Sequence, residues 1–329
     1  MKENDKKNNP AYSETAYDDA FRTMEGRCND LLIPFVNYMF DEEYDKSAVV
    51  KRLRNEHYIE HEDGSEEKRV TDSFFDITCN NITKRYHLEC ESKKYDGIIL
   101  VRVFEYGTQI AIDNGEKSLY KARFTFPESG VLLLRAGNEV ADKATIEIAL
   151  PNNKEVSYDI PLIKVSDYSI DEIFSKKLYM LIPFYIFNFE RKLPEINCNE
   201  AQIDDLLGIY EKIFLRLKQE QEVSNLSALS YDAIIRLTYR VAYKLTMKQD
   251  NVQKKVGDVM GGKVLDLPCF RAYDQGLEEG IEQGIDAFIE DKLEDGISTD
   301  IIKSKLCKRF EISEEKANEY INKVLSKTE

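Results

Sequence analysis

Asp72, Glu89 and Glu91 are the residues whose types and spacing best suit chemistry. They fall in the stretch Arg69 to Glu91, RVTDSFFDITCNNITKRYHLECE, where two runs of strand character flank the polar turn Asn80-Asn81-Ile82-Thr83-Lys84. Strand side chains alternate faces, so Glu89 and Glu91 project from one side, and pairing of the two runs as a hairpin brings Asp72 near them. Carboxylates gathered at one place are unfavourable without a cation or protons to compensate. An Asp followed one strand later by Glu-x-Glu suits a hard divalent cation such as Mg²⁺, which takes one or two carboxylates, waters and phosphate oxygens. Such an ion polarises a phosphodiester and supplies hydroxide at neutral pH. In that scheme Asp72 and Glu89 are ligands, the backbone carbonyl of Cys90 is a third, and Glu91 orients the attacking water or joins the metal shell. Arg102 on the following helix holds a phosphate or fixes a carboxylate through its planar fork. Lys93 and Lys94 contact the substrate backbone or stabilise charge in the transition state. Spacing leaves a second reading open: a solvated acidic face on an antiparallel pair, in which the carboxylates bind nothing.

The elements that must position these residues are read from periodicity. On the first run Phe75, Ile77 and Cys79 share a face and Asp72, Phe74 and Asp76 the other; on the second, Tyr86, Leu88 and Cys90 alternate with Arg85, His87, Glu89 and Glu91. His87 reads as an exposed strand residue, or as an acid or base beside Glu89. A helix is predicted from Ile98 to about Ile112, with Ile99, Val103, Tyr106 and Ile110 inward and Arg102, Glu105 and Gln109 outward. Upstream, a helix begins near Tyr17, with Pro34 as its expected kink, and 41–68 reads as a loop or short extended piece. Downstream, strands are expected at Leu119–Phe126, Val131–Arg135, Thr145–Leu150 and Val156–Val165. Helices follow at Ile170–Phe189, broken near Pro183, and at Ala201–Gln221 and Ser227–Lys248. Gly276, Gly280 and Gly284 recur every four residues between acidic flanks, which reads as a linker or as a soluble, self-associating helix. Ser298–Leu325 reads as a helical hairpin, with a DNA-reading helix-turn-helix left open by Lys303, Lys305, Lys308 and Arg309.

The division is then 1–15 disordered, 16–166 a mixed α/β (α+β) core, 167–265 helical, and 266–329 the glycine-spaced acidic helix with the C-terminal hairpin. The 329 residues suffice for a real hydrophobic core. A formal charge of −15 repels polyanions at long range, so a nucleic-acid partner needs a local basic patch or a metal ion. Six scattered cysteines without a CxxC pair argue against zinc and disulfides and suit a reducing cytoplasm. The N-terminal MKENDKKNNPAYSE lacks a signal-peptide core, and the most apolar run, Tyr179–Phe189, is too short to span a bilayer. A soluble, cytoplasmic protein without a membrane partner is expected. There is no GxSxG elbow, P-loop or GxGxxG, and His57, His61 and His87 share no metal-ligand spacing.

Beyond spacing, an ordered set of pieces resembles the recombination-promoting nuclease and transposase family of the PD-(D/E)XK nuclease superfamily. The pieces are Tyr17-Asp18-Asp19-Ala20-Phe21-Arg22, Lys68-Arg69-Val70-Thr71-Asp72-Ser73 and Tyr86-His87-Leu88-Glu89-Cys90-Glu91-Ser92. Arg102-Val103-Phe104-Glu105-Tyr106 with Gln109-Ile110-Ala111, Leu181-Ile182-Pro183-Phe184-Tyr185 and Val259-Met260-Gly261-Gly262-Lys263 continue the set, which runs to about Gly284. The resemblance implies a restriction-endonuclease-like mixed sheet flanked by helices, followed by a helical region. It also implies a DNA endonuclease using Mg²⁺ or Mn²⁺, with the metal-binding Asp at Asp72 and the (D/E) at Glu89. The third position, Lys across the superfamily and Gln in many relatives, is Glu91 here. Glutamate brings no positive charge, so either Lys93, Lys94 or Arg102 substitutes or activity is weak or absent. Asp18 and Tyr106 match family positions, the first as helix cap or ligand, the second as core. A homodimer suits double-strand cutting, since two-fold symmetry offers one site to each strand. The alternatives are an inactive descendant that binds DNA or protein, and a purely structural helical protein with solvated carboxylates.

Overall fold

The computed structural model describes residues 16–53, 56–60, 66–70, 72–137, 139–260, 284–293, 297–310 and 314–328. The 1–15 segment, most of the glycine-spaced stretch and the Gly261-Gly262-Lys263 piece therefore lie outside the described residues. The chain forms two compact units, Met1–Leu265 and Asp266–Glu329.

In the first unit, α1 (Ala16–Arg27) and α2 (Asn29–Phe40) bury Phe21, Met24, Leu31, Leu32, Phe35 and Met39, which recur at three- and four-residue steps, and Val36 beside them. The interruption falls at Cys28 and not at Pro34. Cys28 leaves the helical region, with φ −121° and ψ 81°, while Pro34 is accommodated inside α2. The stretch 41–68, expected as a loop or short extended piece, is extended over more of its length: it holds β1 (Val49–Arg52), β2 (Glu56–Glu60) and the start of β3 (Glu66–Val70). β2 and β3 form their own antiparallel ladder, and β1 joins the main sheet beside β4 (Ser73–Cys79). Four residues of mixed polarity carry too little alternation to announce an edge strand.

β4 and β5 (Ile82–Lys94) form the expected hairpin, and its turn is tighter than the sequence suggested. Cys79 pairs with Ile82, leaving Asn80 and Asn81 as a two-residue loop with φ of 51° and 63°. Positive φ at both positions matches the right-handed twist of the strands, and asparagine tolerates it. α3 (Ile98–Asp113) follows at its expected place and carries the chain over to a strand parallel to β5. Between them, β6 (Glu116–Ser118) and β7 (Lys121–Arg123) make a small ladder whose connection contains the exposed Leu119 and Tyr120. This replaces the single strand expected from Leu119 to Phe126. β8 (Glu128–Arg135), β9 (Lys143–Leu150) and β10 (Lys154–Lys164) complete a six-stranded mixed sheet ordered β1-β4-β5-β8-β10-β9. β5, β8 and β10 run parallel in neighbouring pairs, and the other pairs are antiparallel.

The sheet is covered on both faces, as parallel strands require. One face turns Phe75, Ile77, Tyr86 and Leu88 towards α1 and α2: Phe40 lies 5.1 Å from the Tyr86 ring, and the Tyr44 and Tyr86 hydroxyls are 2.7 Å apart. The other face sets Val131, Leu133, Ile160 and Leu162 against Ile99 and Val103 of α3.

The helical region contains α4 (Ile170–Ser175), a 3₁₀ stretch over Tyr179–Lys192, α5 (Leu193–Ile196), α6 (Glu200–Glu222), α7 (Ala228–Leu245) and α8 (Asp250–Met260). The break expected at Pro183 lies earlier, at Lys177, whose φ is 56°. Pro183 sits within the 3₁₀ stretch, where Met180, Leu181, Ile182 and Phe184 are fully buried. α7 packs on that stretch and on α1, so the sheet and the helices share one compact unit.

The second unit contains α9 (284–293), α10 (Thr299–Phe310) and α11 (Glu314–Thr328), closed around Ile285, Ile289, Ile302, Leu306, Ala317 and Ile321. No helix among the described residues is long and apolar enough to cross a membrane.

Candidate functional site

The β4–β5 register places Ser73 opposite Leu88, and its continuation puts Asp72 opposite Glu89. Directly opposed residues on an antiparallel pair share a face. This acidic face lies beneath α3, whose Tyr106 ring meets His87 and whose Arg102 reaches Glu91. Asp72 is 8% exposed, Glu89 3% and His87 0%. This removes the solvated-face reading for the Asp72–Glu89 pair and corrects the expectation of an exposed His87.

Burial dictates the partners, since a buried charge must be compensated. Asp72 Oδ1 accepts from Arg22 Nη2 at 2.9 Å and Nε at 3.3 Å, and Oδ2 accepts from the Cys90 backbone N–H at 2.9 Å. The Asp72 N–H approaches Glu89 Oε1 at 3.4 Å. That oxygen also shares a 2.9 Å hydrogen bond with His87 Nε2. His87 Nδ1 lies 3.4 Å from Ser129 Oγ on β8, and the Tyr106 ring of α3 meets the imidazole edge-on at 5.8 Å. Tyr106, expected as core, thus packs against the site.

Glu91 projects from the same strand face but is held elsewhere. Its Oε2 accepts from Arg102 Nη2 at 2.6 Å and its Oε1 from the Lys93 N–H at 2.8 Å. Of the two roles expected for Arg102, fixing a carboxylate is the one present. Among the described residues, no group of three or more His, Cys, Asp and Glu side chains is placed to hold a metal ion. The gathering of three carboxylates expected from spacing is therefore a buried pair, Asp72 and Glu89, with Glu91 tied to α3. Lys93 and Lys94 are exposed at the end of β5, past a register shift between Glu91 and Lys94.

Burial, and then the Glu89 charge, push the Asp72 carboxyl up to about 6 against the Cys90 N–H and Arg22, which draw it down. Asp18, in the first turn of α1 and not at its cap, is also raised, by burial and by Asp19 and Glu91, with Arg22 and Arg102 opposing. Asp18, Asp72 and Glu91 thus lie near the guanidiniums of Arg22 and Arg102, and Glu89 lies beside Asp72. Acidic side chains outnumber guanidiniums here, and the raised Asp72 and Asp18 carboxyls register that excess. Asp72 and Glu89 are the two buried carboxylates that could hold a hard divalent ion, which needs only one or two carboxylates from protein.

Arg22 is the residue that sequence reasoning missed, and His87, read as exposed or as an acid or base beside Glu89, is a buried partner of that carboxylate. Asp18 and Arg22 stand four apart on α1, which reads as an ordinary helix-surface pair. Only the folded chain points the guanidinium at Asp72, fifty residues away. No family model, curated protein or solved structure matches the chain.

Proposed function

We propose that the chain is a Mg²⁺- or Mn²⁺-dependent DNA endonuclease, hydrolysing phosphodiesters at the Asp72–Glu89 pair, in line with its resemblance to recombination-promoting nucleases. The observation that carries this reading is the burial of two directly opposed carboxylates amid an excess of acidic side chains. Asp72, Glu89 and the Cys90 carbonyl would hold the ion. Bound there, it supplies a polarised phosphodiester and a hydroxide nucleophile. His87 orients Glu89 through its 2.9 Å hydrogen bond. Arg102 holds Glu91 away from the pair, and the exposed Lys93 and Lys94 are available to substrate phosphates. DNA is the proposed partner, and a homodimer the proposed form for cutting both strands.

One observation favours a second reading, an inactive descendant that only binds. Both Asp72 oxygens already accept hydrogen bonds, and Glu91 stands where a lysine or glutamine is expected. Plasmid nicking with Mg²⁺ separates the two. The wild type is expected to nick while Asp72→Asn and Glu89→Gln, checked for folding by circular dichroism, do not. Equal nicking by all three proteins rejects the site. No nicking by the wild type, with DNA still shifted in a gel, selects the binding-only reading.

A further inference from the structure

Past Glu91 the chain of β5 leads into a cavity of about 820 Å³ at the carboxyl ends of the parallel strands β5 and β8. Crevices outside the carboxyl ends of parallel strands are where open mixed sheets receive ligands. The lining differs from the rest of this acidic molecule. Lys94, Arg191 and Lys192 are exposed there, and none has an ion pair recorded among the described residues. Arg135 is the fourth cation, and Glu190, which grips it at 2.6 and 2.7 Å, is the single anion of the lining. Four cations against one anion give a local charge of +3 in a chain of −15.

Between the cations stand half-buried aromatic rings, Tyr185 and Phe189, packed edge to face at 5.9 Å. Arg135 stacks 4.7 Å over Phe187, whose neighbour Tyr17 adjoins Asp18 of the candidate site. The groove and the carboxylates are thus joined through β5 and the start of α1.

We infer that this groove binds an unpaired stretch of nucleic-acid strand and feeds it to the Asp72–Glu89 pair. Phosphates meet Lys94, Arg191 and Lys192, and bases lie against Tyr185 and Phe189. Cations that track a backbone, interleaved with aromatic faces, are what single strands require. A double helix offers no free base face to such rings, and a cavity of this volume belongs to the size class of small-ligand pockets, of ~300–1,000 Å³. The assignment of a strand to be cut rests on the endonuclease reading; binding itself does not.

The test is fluorescence anisotropy of the full chain in EDTA, where metal-dependent cleavage is absent. The probes are a labelled twelve-nucleotide oligothymidylate, a twelve-base-pair duplex, an abasic strand of equal length and an acidic tyrosine-containing peptide. The oligothymidylate is expected to bind ~10-fold or more tighter than the abasic strand, the scale of base–aromatic stacking, and tighter than the duplex. The triple variant Lys94→Ala, Arg191→Ala, Lys192→Ala changes only exposed side chains. It should lose most affinity and flatten the log–log salt dependence by ~0.7 per phosphate contact removed. The equally charged-down control Lys121→Ala, Lys143→Ala, Lys154→Ala should bind as the wild type does. Phe189→Ala should weaken oligothymidylate binding and leave the abasic strand unaffected. Duplex binding as tight as single-strand binding, equal loss in triple variant and control, or preference for the peptide overturns the assignment. If oligothymidylate binds as expected but no plasmid is nicked, the endonuclease reading falls and the groove stands. If nicking depends on Asp72 while the triple variant binds normally, the groove falls alone.

Discussion

The guanidinium of Arg22, on the first helix, lies 2.9 Å from Oδ1 of Asp72, at the mouth of the central hairpin. In the proposed metal reading, Arg22 occupies the oxygen that a divalent cation would take, so guanidinium and ion would compete for one carboxylate. Arg22 is 39% exposed, so solvent screens the pair and Arg22→Ala should destabilise the fold by only about 1–2 kcal/mol. The same variant should respond more strongly than the wild type to Mg²⁺ in thermal unfolding, because a ligand of the native state stabilises it by mass action. No Mg²⁺ shift in either protein would sink the metal site.

His87 is fully buried and holds Glu89 on one side and approaches Ser129 on the other. His87→Ala leaves a void and removes the side-chain hydrogen-bond partner of Glu89 Oε1, and should cost about 2–4 kcal/mol in urea unfolding. His87→Gln, which can still hydrogen-bond, should recover part of that loss. Equal destabilisation by both substitutions would show that ring volume matters and the hydrogen bond does not.

Glu25 is buried beside Arg52, and burial pushes its carboxyl up to about 7 despite that cation. A folded-state value above the unfolded 4.5 favours the protonated form. Its stabilising contribution is fully present below pH 4.5 and is lost as pH rises through about 7. The loss is on the order of 3 kcal/mol, at 1.36 kcal/mol per pH unit. Glu25→Gln should therefore gain most, relative to the wild type, at pH 8 and little at pH 4. A gain independent of pH would contradict this account.

Asn81 holds a φ of 63° in the two-residue turn of the hairpin. Asn81→Gly should raise stability by up to about 0.5 kcal/mol, since glycine enters that region without strain. Asn81→Val should lower it by about 1–2 kcal/mol, as a β-branched residue cannot. Both are read as shifts in the midpoint of thermal unfolding, and a stabilising valine would refute the turn geometry.

The parts of the fold legible in sequence were those where one periodicity runs unbroken. α3 fell where Ile99, Val103 and Ile110 recur, and β4 and β5 where Phe75, Ile77, Tyr86 and Leu88 alternate with polar residues. β1 was missed because its four residues alternate between exposed and half-buried, a pattern too short to register. Pro34 and Pro183 misled because proline removes one hydrogen bond without necessarily ending a helix. The actual breaks came at Cys28 and Lys177, residues with no such signature.

Sequence alone determined which residues share a strand face near the site: the two-residue repeat groups His87, Glu89 and Glu91 on one side of the second strand. The two-residue turn that the fold adopts, tighter than the Asn80–Lys84 turn read from sequence, sets Asp72 across from Glu89. Whether that face meets water or protein is not a property of the hairpin, because alternation is identical in both cases. Tertiary structure decided it: β8 pairs along the far side of β5, α3 closes over the face, and the carboxylates become buried. Only that burial forces Asp72 onto Arg22 and the Cys90 N–H, and Glu89 onto His87, because a desolvated charge must find partners wherever the fold supplies them.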